Sequence, residues 1–118
     1  MQIKLIMGQA YHETGGYTST LAQQYNNIFG ITNHVTGNGT QTKSGFMDYK
    51  DFLACIEDYF SILIYYMNTS QREVPDTFIG FATWLKENGY YTDTVNNYAN
   101  GMINGWTQTA KLLNIDNL

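Results

Sequence analysis

A mainly α fold, with about five helices and a small β-hairpin lobe near residues 31–47, is what the sequence predicts. Three observations carry it. Apolar residues recur at helical spacing along most of the chain. Capping residues and glycine stops fall between those stretches. One stretch breaks the pattern, with Thr and Val around Gly37-Asn38-Gly39, which is turn chemistry. The chain has 118 residues, room for one core and not two, so 1–118 is read as a single domain.

The elements follow in order. Ile3, Ile6, Met7 and Ala10 share one helical face, and Gly15-Gly16 stops that helix near Thr14. Thr18 or Ser19 caps a short second helix reaching about Gln24. Residues 25–31 read as a packed turn rich in Asn and Gly, followed by the hairpin lobe. Asp51 caps a third helix to about Asn68, with an expected apolar stripe of Phe52, Ile56, Tyr59, Phe60 and Leu63. After Pro75, a fourth helix over 76–88 buries Phe78, Phe81, Ala82 and Leu85, and Gly89 ends it. Asp93 or Thr94 caps the last helix, which sets Val95, Tyr98, Ala99, Met102 and Trp106 on one face. Gly101 and Gly105 each weaken it by about 1 kcal/mol relative to Ala, so an interruption is expected there.

Composition excludes several functions. The net charge is −4, so no excess of Lys and Arg exists to neutralise nucleic-acid phosphates. Only 14 % of residues are charged, which leaves a neutral polar surface suited to ligands such as sugars. The longest apolar run, 59–67, is too short for a membrane span. Residues 1–7 lack the apolar run and cleavage site of an export signal. His12-Glu13 begins a zinc-protease pattern, but Gly16 stands where the second His belongs; neither a metal nor another cofactor is expected. Cys55 lies in an apolar helix with nothing to activate it and reads as inert.

Glu13 is the most informative position. At a helix C-terminus the dipole disfavours an ionised carboxylate, and nearby apolar groups do the same. Both raise the pKa, as a general acid near neutral pH requires. An ordinary solvated glutamate at a helix end is the alternative. Tyr17, Tyr25, Tyr49, Tyr65, Tyr66, Tyr90 and Tyr91 are more tyrosines than a core of this size absorbs, and such rings stack on sugars. Tyr59, Tyr65 and Tyr98 are expected to be packing residues. Tyr90 and Tyr91, just past a helix stop, are not.

Five pieces in order resemble one family. They are Gly8-Gln9-Ala10-Tyr11-His12-Glu13-Thr14-Gly15-Gly16, then Thr18-Ser19-Thr20-Leu21-Ala22, then Asn26-Asn27-Ile28-Phe29-Gly30-Ile31. Phe46-Met47-Asp48-Tyr49 with Ile56-Glu57-Asp58-Tyr59 follows, and Gly89-Tyr90-Tyr91-Thr92-Asp93 with Tyr98-Ala99 closes the set. The pattern is similar to that of the bacterial and phage glucosaminidases, endo-β-N-acetylglucosaminidases of the flagellar-muramidase and autolysin type within the lysozyme-like group. The resemblance spans about residues 8–106.

It implies an α+β lysozyme-like fold with its helices around a groove. It also implies peptidoglycan hydrolysis between N-acetylglucosamine and N-acetylmuramic acid. Glu13 takes the place of the general acid, and Tyr90 that of the aromatic residue supporting catalysis. Asn26, Asn27 and Phe29 match the turn holding the groove wall, and 33–45 the lobe over the glycan. Tyr17, Asn27, Phe29, Tyr49 and Tyr91 are the expected substrate-binding residues. Family members often carry a second carboxylate in the lobe, yet 33–45 contains no Asp or Glu. Asp48 is the nearest acidic residue and the expected second catalytic group. The substrate's acetamido group, or a water held by Tyr90, offers another route. The family's helix before the one bearing Glu13 has no counterpart here, so a domain lacking its N-terminal helix is expected. The implied partners are peptidoglycan strands, with a larger chain, virion or cell-surface assembly around the domain. Action outside the cytoplasmic membrane follows from that substrate. A non-catalytic wall-binding or structural module, or a lysozyme-like muramidase or lytic transglycosylase, is the competing reading.

Overall fold

The computed structural model describes residues 1–32, 39–42 and 44–115. Their order is α1 (Ile3–Thr14), α2 (Thr20–Gln23), β1 (Thr40–Gln41), β2 (Met47–Asp48), α3 (Phe52–Ser70), α4 (Phe78–Glu87) and α5 (Val95–Leu112). The fold is mainly helical with one small antiparallel sheet, in keeping with a lysozyme-like architecture.

The helix starts are set by side-chain caps. Ser19, Asp51, Thr77 and Thr94 each accept a backbone N–H from three residues on. Thr77 rather than Asp76 starts α4, because its hydroxyl reaches the Gly80 N–H. At the end of α1, Gly15 and Gly16 both take left-handed backbone, which stops the helix directly after Glu13 and Thr14.

The buried faces of α1 and α3 are rotated from the expected stripes. On α1, Leu5, Gly8, Gln9, Ala10 and Thr14 face inward, while Ile3 is 56 % exposed. A polar Gln and a Gly lie on the inward face, so apolar spacing points elsewhere. On α3, Cys55, Tyr59, Ile62 and Leu63 are buried, while Phe52 and Phe60 are exposed. That helix is apolar nearly all round, so periodicity does not single out a face.

Gly101 and Gly105 do not interrupt α5; they let it meet α1. A Cβ on Gly105 would stand 2.5 Å from the Gly8 carbonyl oxygen and 2.9 Å from Tyr11 Cβ. One on Gly101 would strike the His12 ring, and one on Gly8 the Met102 carbonyl. The close approach replaces what the glycines lose in helix propensity. α5 packs against α4 as well as α1, over Phe81, Trp84, Leu85 and Met102, all at 0 % exposure. Each such burial contributes about 1.5–3 kcal/mol.

The lobe forms the small antiparallel sheet expected of it. β1 pairs with β2, Thr40 opposite Asp48 and Gln41 opposite Met47, and Thr32 bridges Phe46. Between β1 and β2, Gly45 takes a φ of +93° and Thr42 Oγ1 donates to the Phe46 carbonyl at 2.6 Å. Of the expected turn at Gly37-Asn38-Gly39, only Gly39 lies within the described residues.

Candidate active site

The site begins at the last turn of α1. Gln9 and Glu13 lie one turn apart on one face. Glu13 is half-buried, and Tyr98 of α5 donates its hydroxyl to Glu13 Oε1 at 2.6 Å. Burial raises the Glu13 pKa above the ordinary carboxylate value, and the Tyr98 hydrogen bond opposes that rise in part.

Gly30 seats the other side of the carboxyl. A Cβ there would collide with Glu13 Oε2, and the backbone sits at a φ of +64°, so both space and conformation call for glycine. Gly30 is placed by the segment around it. Asn27 is fully buried, and its amide donates to the carbonyls of Ile31 (2.9 Å) and Met47 (3.0 Å) while accepting the Ile31 N–H (3.0 Å). Asn26, at a φ of +52°, donates to the Tyr49 carbonyl at 3.0 Å. Phe29 stacks on Tyr59 of α3 with ring centroids 3.7 Å apart. Loop 25–31 is thus tied to β2 on one side and α3 on the other.

The segment after α4 closes the arrangement. Tyr90 donates its hydroxyl to the Phe29 carbonyl at 2.5 Å, bracing the residue before Gly30. Tyr91 stacks on the Tyr98 ring at 3.8 Å and donates to the Ala82 carbonyl at 2.8 Å. His12 meets the Tyr98 ring edge-on at 4.9 Å. Burial lowers the His12 pKa, with Asp93 pulling the other way. The Lys86 ammonium donates to the carbonyls of Thr92 and Asp93, pinning the segment.

These contacts gather Glu13, Tyr90, Tyr91 and the Phe29–Gly30 backbone. They set other expected residues apart. Asn27, Phe29 and Tyr49 are at most 2 % exposed and spent on internal bonds and stacking, so they stand behind the wall and not on its face. Tyr49 donates to the buried Asp58 carboxylate. Tyr17 is half-buried against α5, its hydroxyl 2.9 Å from Thr109 Oγ1 and its ring edge-on to Tyr11. Asp48 is half-buried on β2, and among the described residues no hydrogen bond or ion pair joins it to Glu13. Tyr65, expected in the core, is 64 % exposed. Cys55 is buried and its thiol is pushed up to about 11, chiefly by burial. Among the described residues no three His, Cys, Asp or Glu side chains gather to hold a metal ion, and no helix is long and apolar enough to cross a membrane.

Sequence reasoning missed Gln9, Gly30, Tyr59 and Tyr98 as parts of the site. Tyr59 and Tyr98 are indeed core residues, yet a buried phenol needs a partner for its hydroxyl. A Gln one turn before the acid, and two tyrosines on inward faces, were the signal available.

The family model described as Glucosaminidase, mannosyl-glycoprotein endo-beta-N-acetylglucosaminidase, matches residues 1–111. No curated protein matches, and no solved structure matches.

Proposed function

The chain belongs to the Glucosaminidase family, and on that premise we propose that it hydrolyses the β-1,4 bond between N-acetylglucosamine and N-acetylmuramic acid in peptidoglycan. The family carries a glycan substrate and glycoside hydrolysis; the bond and the residues are this reading's own. The observation that supports it best is the Glu13 carboxyl, half-buried, raised in pKa, and held by a phenol on one oxygen.

Glu13 protonates the leaving glycosidic oxygen as the C1–O bond breaks. Positive charge then develops at C1. The substrate's acetamido oxygen attacks C1 and closes a ring, which water opens with Glu13, now a carboxylate, as the base. This route needs no second protein carboxylate, and the lobe segment 33–45 supplies none. Asp48 is the alternative second group, activating water from the far side of the sugar. Tyr90 supports the acid by holding the Phe29 carbonyl, and Tyr91 by holding the Tyr98 ring. The place of action is the cell wall, periplasm or virion, since the proposed substrate lies outside the cytoplasmic membrane.

Digestion of purified peptidoglycan tests the reading, with wild type and Glu13→Gln in parallel and mass spectrometry of the reduced products. Reduced N-acetylglucosamine ends, absent with the variant, are expected. Reduced N-acetylmuramic acid ends would assign a muramidase, and anhydro ends a transglycosylase. Cleavage of a mannosylated glycoprotein alone would move the substrate to the one in the family's description. Binding without any cleavage by folded protein would favour a wall-binding module, a reading that the acid-free lobe also supports.

A further inference from the structure

Behind Glu13 lies a chain of hydrogen bonds with a fixed direction. The Tyr59 hydroxyl lies 2.5 Å from Gln9 Oε1, and Gln9 Nε2 lies 3.1 Å from the Tyr98 hydroxyl. The two lengths fix the amide. An O–H···O bond reaches about 2.5 Å, whereas N–H···O bonds run about 2.7–3.2 Å. So Gln9 turns its carbonyl to Tyr59 and its N–H to Tyr98. The Tyr98 oxygen, accepting from Gln9, has its single proton left for Glu13 Oε1, 2.6 Å away.

An oxygen that accepts in this way is the carbonyl oxygen of a protonated carboxyl group. We propose that Tyr59, Gln9 and Tyr98 are positioning residues that confine the transferable proton of Glu13 to Oε2, the oxygen lying against Gly30. The proposal rests on the reading of Glu13 as general acid and names what aims it. Gly30 contributes by standing beside Oε2 without a side chain. Once the proton has left, the same Tyr98 bond stabilises the carboxylate. The chain thus fixes where the proton sits and limits how far burial raises its pKa.

Among the described residues, the ionisable side chains whose charge couples to Glu13 are Tyr59 on α3, Tyr90 after α4 and Tyr98 on α5. Burial pushes all three phenols above their ordinary value, so they stay protonated while Glu13 titrates.

The test is a carbon-13 NMR titration of glutamate side-chain carboxyls in wild type, Tyr98→Phe and Gln9→Met. The chain has four glutamates, and the Glu13 signal is the one missing from Glu13→Gln. Tyr98→Phe removes the donor to Oε1, which raises the Glu13 midpoint by about one pH unit, the size of a charged hydrogen bond. Gln9→Met frees Tyr98 to turn away and shifts the midpoint in the same direction by less. The alkaline limb of kcat/KM moves with each midpoint, and kcat at the wild-type optimum falls about tenfold in Tyr98→Phe. Unmoved midpoints in both variants, with folding retained, would overturn the proposal. If Tyr98→Phe does not fold, Gln9→Met alone decides by the same criterion. The titration needs no activity. Full lysis by Glu13→Gln would sink the general-acid reading and leave the NMR result standing.

Discussion

Replacing Gly30 with alanine measures how tightly the Glu13 carboxyl is seated. Two costs act together. The backbone φ of +64° is left-handed, which costs a residue with a Cβ about 1–2 kcal/mol. The new methyl would overlap Glu13 Oε2 and stand 3.0 Å from Glu13 Cδ, so the carboxyl must move. Such overpacking costs about 1–3 kcal/mol. Gly89 separates the two terms. Its φ is +83°, and an added Cβ there meets nothing within 4 Å, so Gly89→Ala carries strain alone. At about 4 °C per kcal/mol for a domain of this size, Gly89→Ala lowers Tm by roughly 4–8 °C and Gly30→Ala by roughly 8–20 °C. Calorimetry on both variants, with wall digestion on Gly30→Ala, reads the result. Should Glu13 yield by rotating off Tyr98, part of the Tm gap closes and digestion falls instead. Equal Tm losses with undiminished digestion would refute the seating.

Three other outcomes are expected. Burial raises the folded-state pKa of Glu13 above its unfolded value, so the folded chain holds that proton more tightly. Its contribution is therefore full below the unfolded pKa and lost as pH rises through the folded one, so Glu13→Gln melts higher than wild type above that pKa, and the gap closes in acid. A gap independent of pH would contradict this. Asn27→Ala removes three hydrogen bonds to buried backbone groups, leaving the Ile31 carbonyl only its bond from the Met47 N–H, and costs about 3 kcal/mol, read as a lower urea midpoint at constant slope. Gly105→Ala destabilises by about 1–2 kcal/mol although alanine favours helix, because the methyl meets Gly8 and Tyr11; a raised Tm would show that α1 and α5 are not in contact there.

The helices were legible because caps and glycine stops are local signals. Asp51 caps α3 as expected, and of the paired candidates Thr18 or Ser19 and Asp93 or Thr94 it is Ser19 and Thr94 that act as caps. The inward faces of α4 and α5 were legible too, in Phe81, Ala82, Leu85, Tyr98, Ala99 and Met102, whereas that of α1 was not, since packing and not periodicity selects Gly8 and Gln9. Glycine carries a double meaning in sequence: a breaker by propensity, or a contact point by size. Gly101 and Gly105 prove to be the second, which depends on a partner helix far away in sequence. Its helix-end position marked Glu13 as a candidate, with an ordinary solvated glutamate left open, and the matched motif gave it the place of the acid. Its support was not legible, because Tyr59, Tyr98 and Gly30 come from three distant segments. The expected binding residues Asn27, Phe29 and Tyr49 come from matched motifs, and a motif marks what holds a wall together as readily as what touches the ligand.

The glycine joint between α1 and α5 also divides the molecule by stiffness. Backbone lies against backbone there, with few rotatable side chains between, so Glu13 and Tyr98 ride on one inflexible unit. Across from them, loop 25–31 is held to β2 by the Asn27 amide, to α3 by the Phe29–Tyr59 stack and to the segment after α4 by the Tyr90 hydroxyl. Side chains from three directions hold that loop, whereas α1 and α5 hold each other backbone to backbone, so the amide protons of residues 26–32 exchange with solvent sooner than those of α1 and α5. Glu13 and the phenol that holds it keep their mutual aim because one stiff unit carries both.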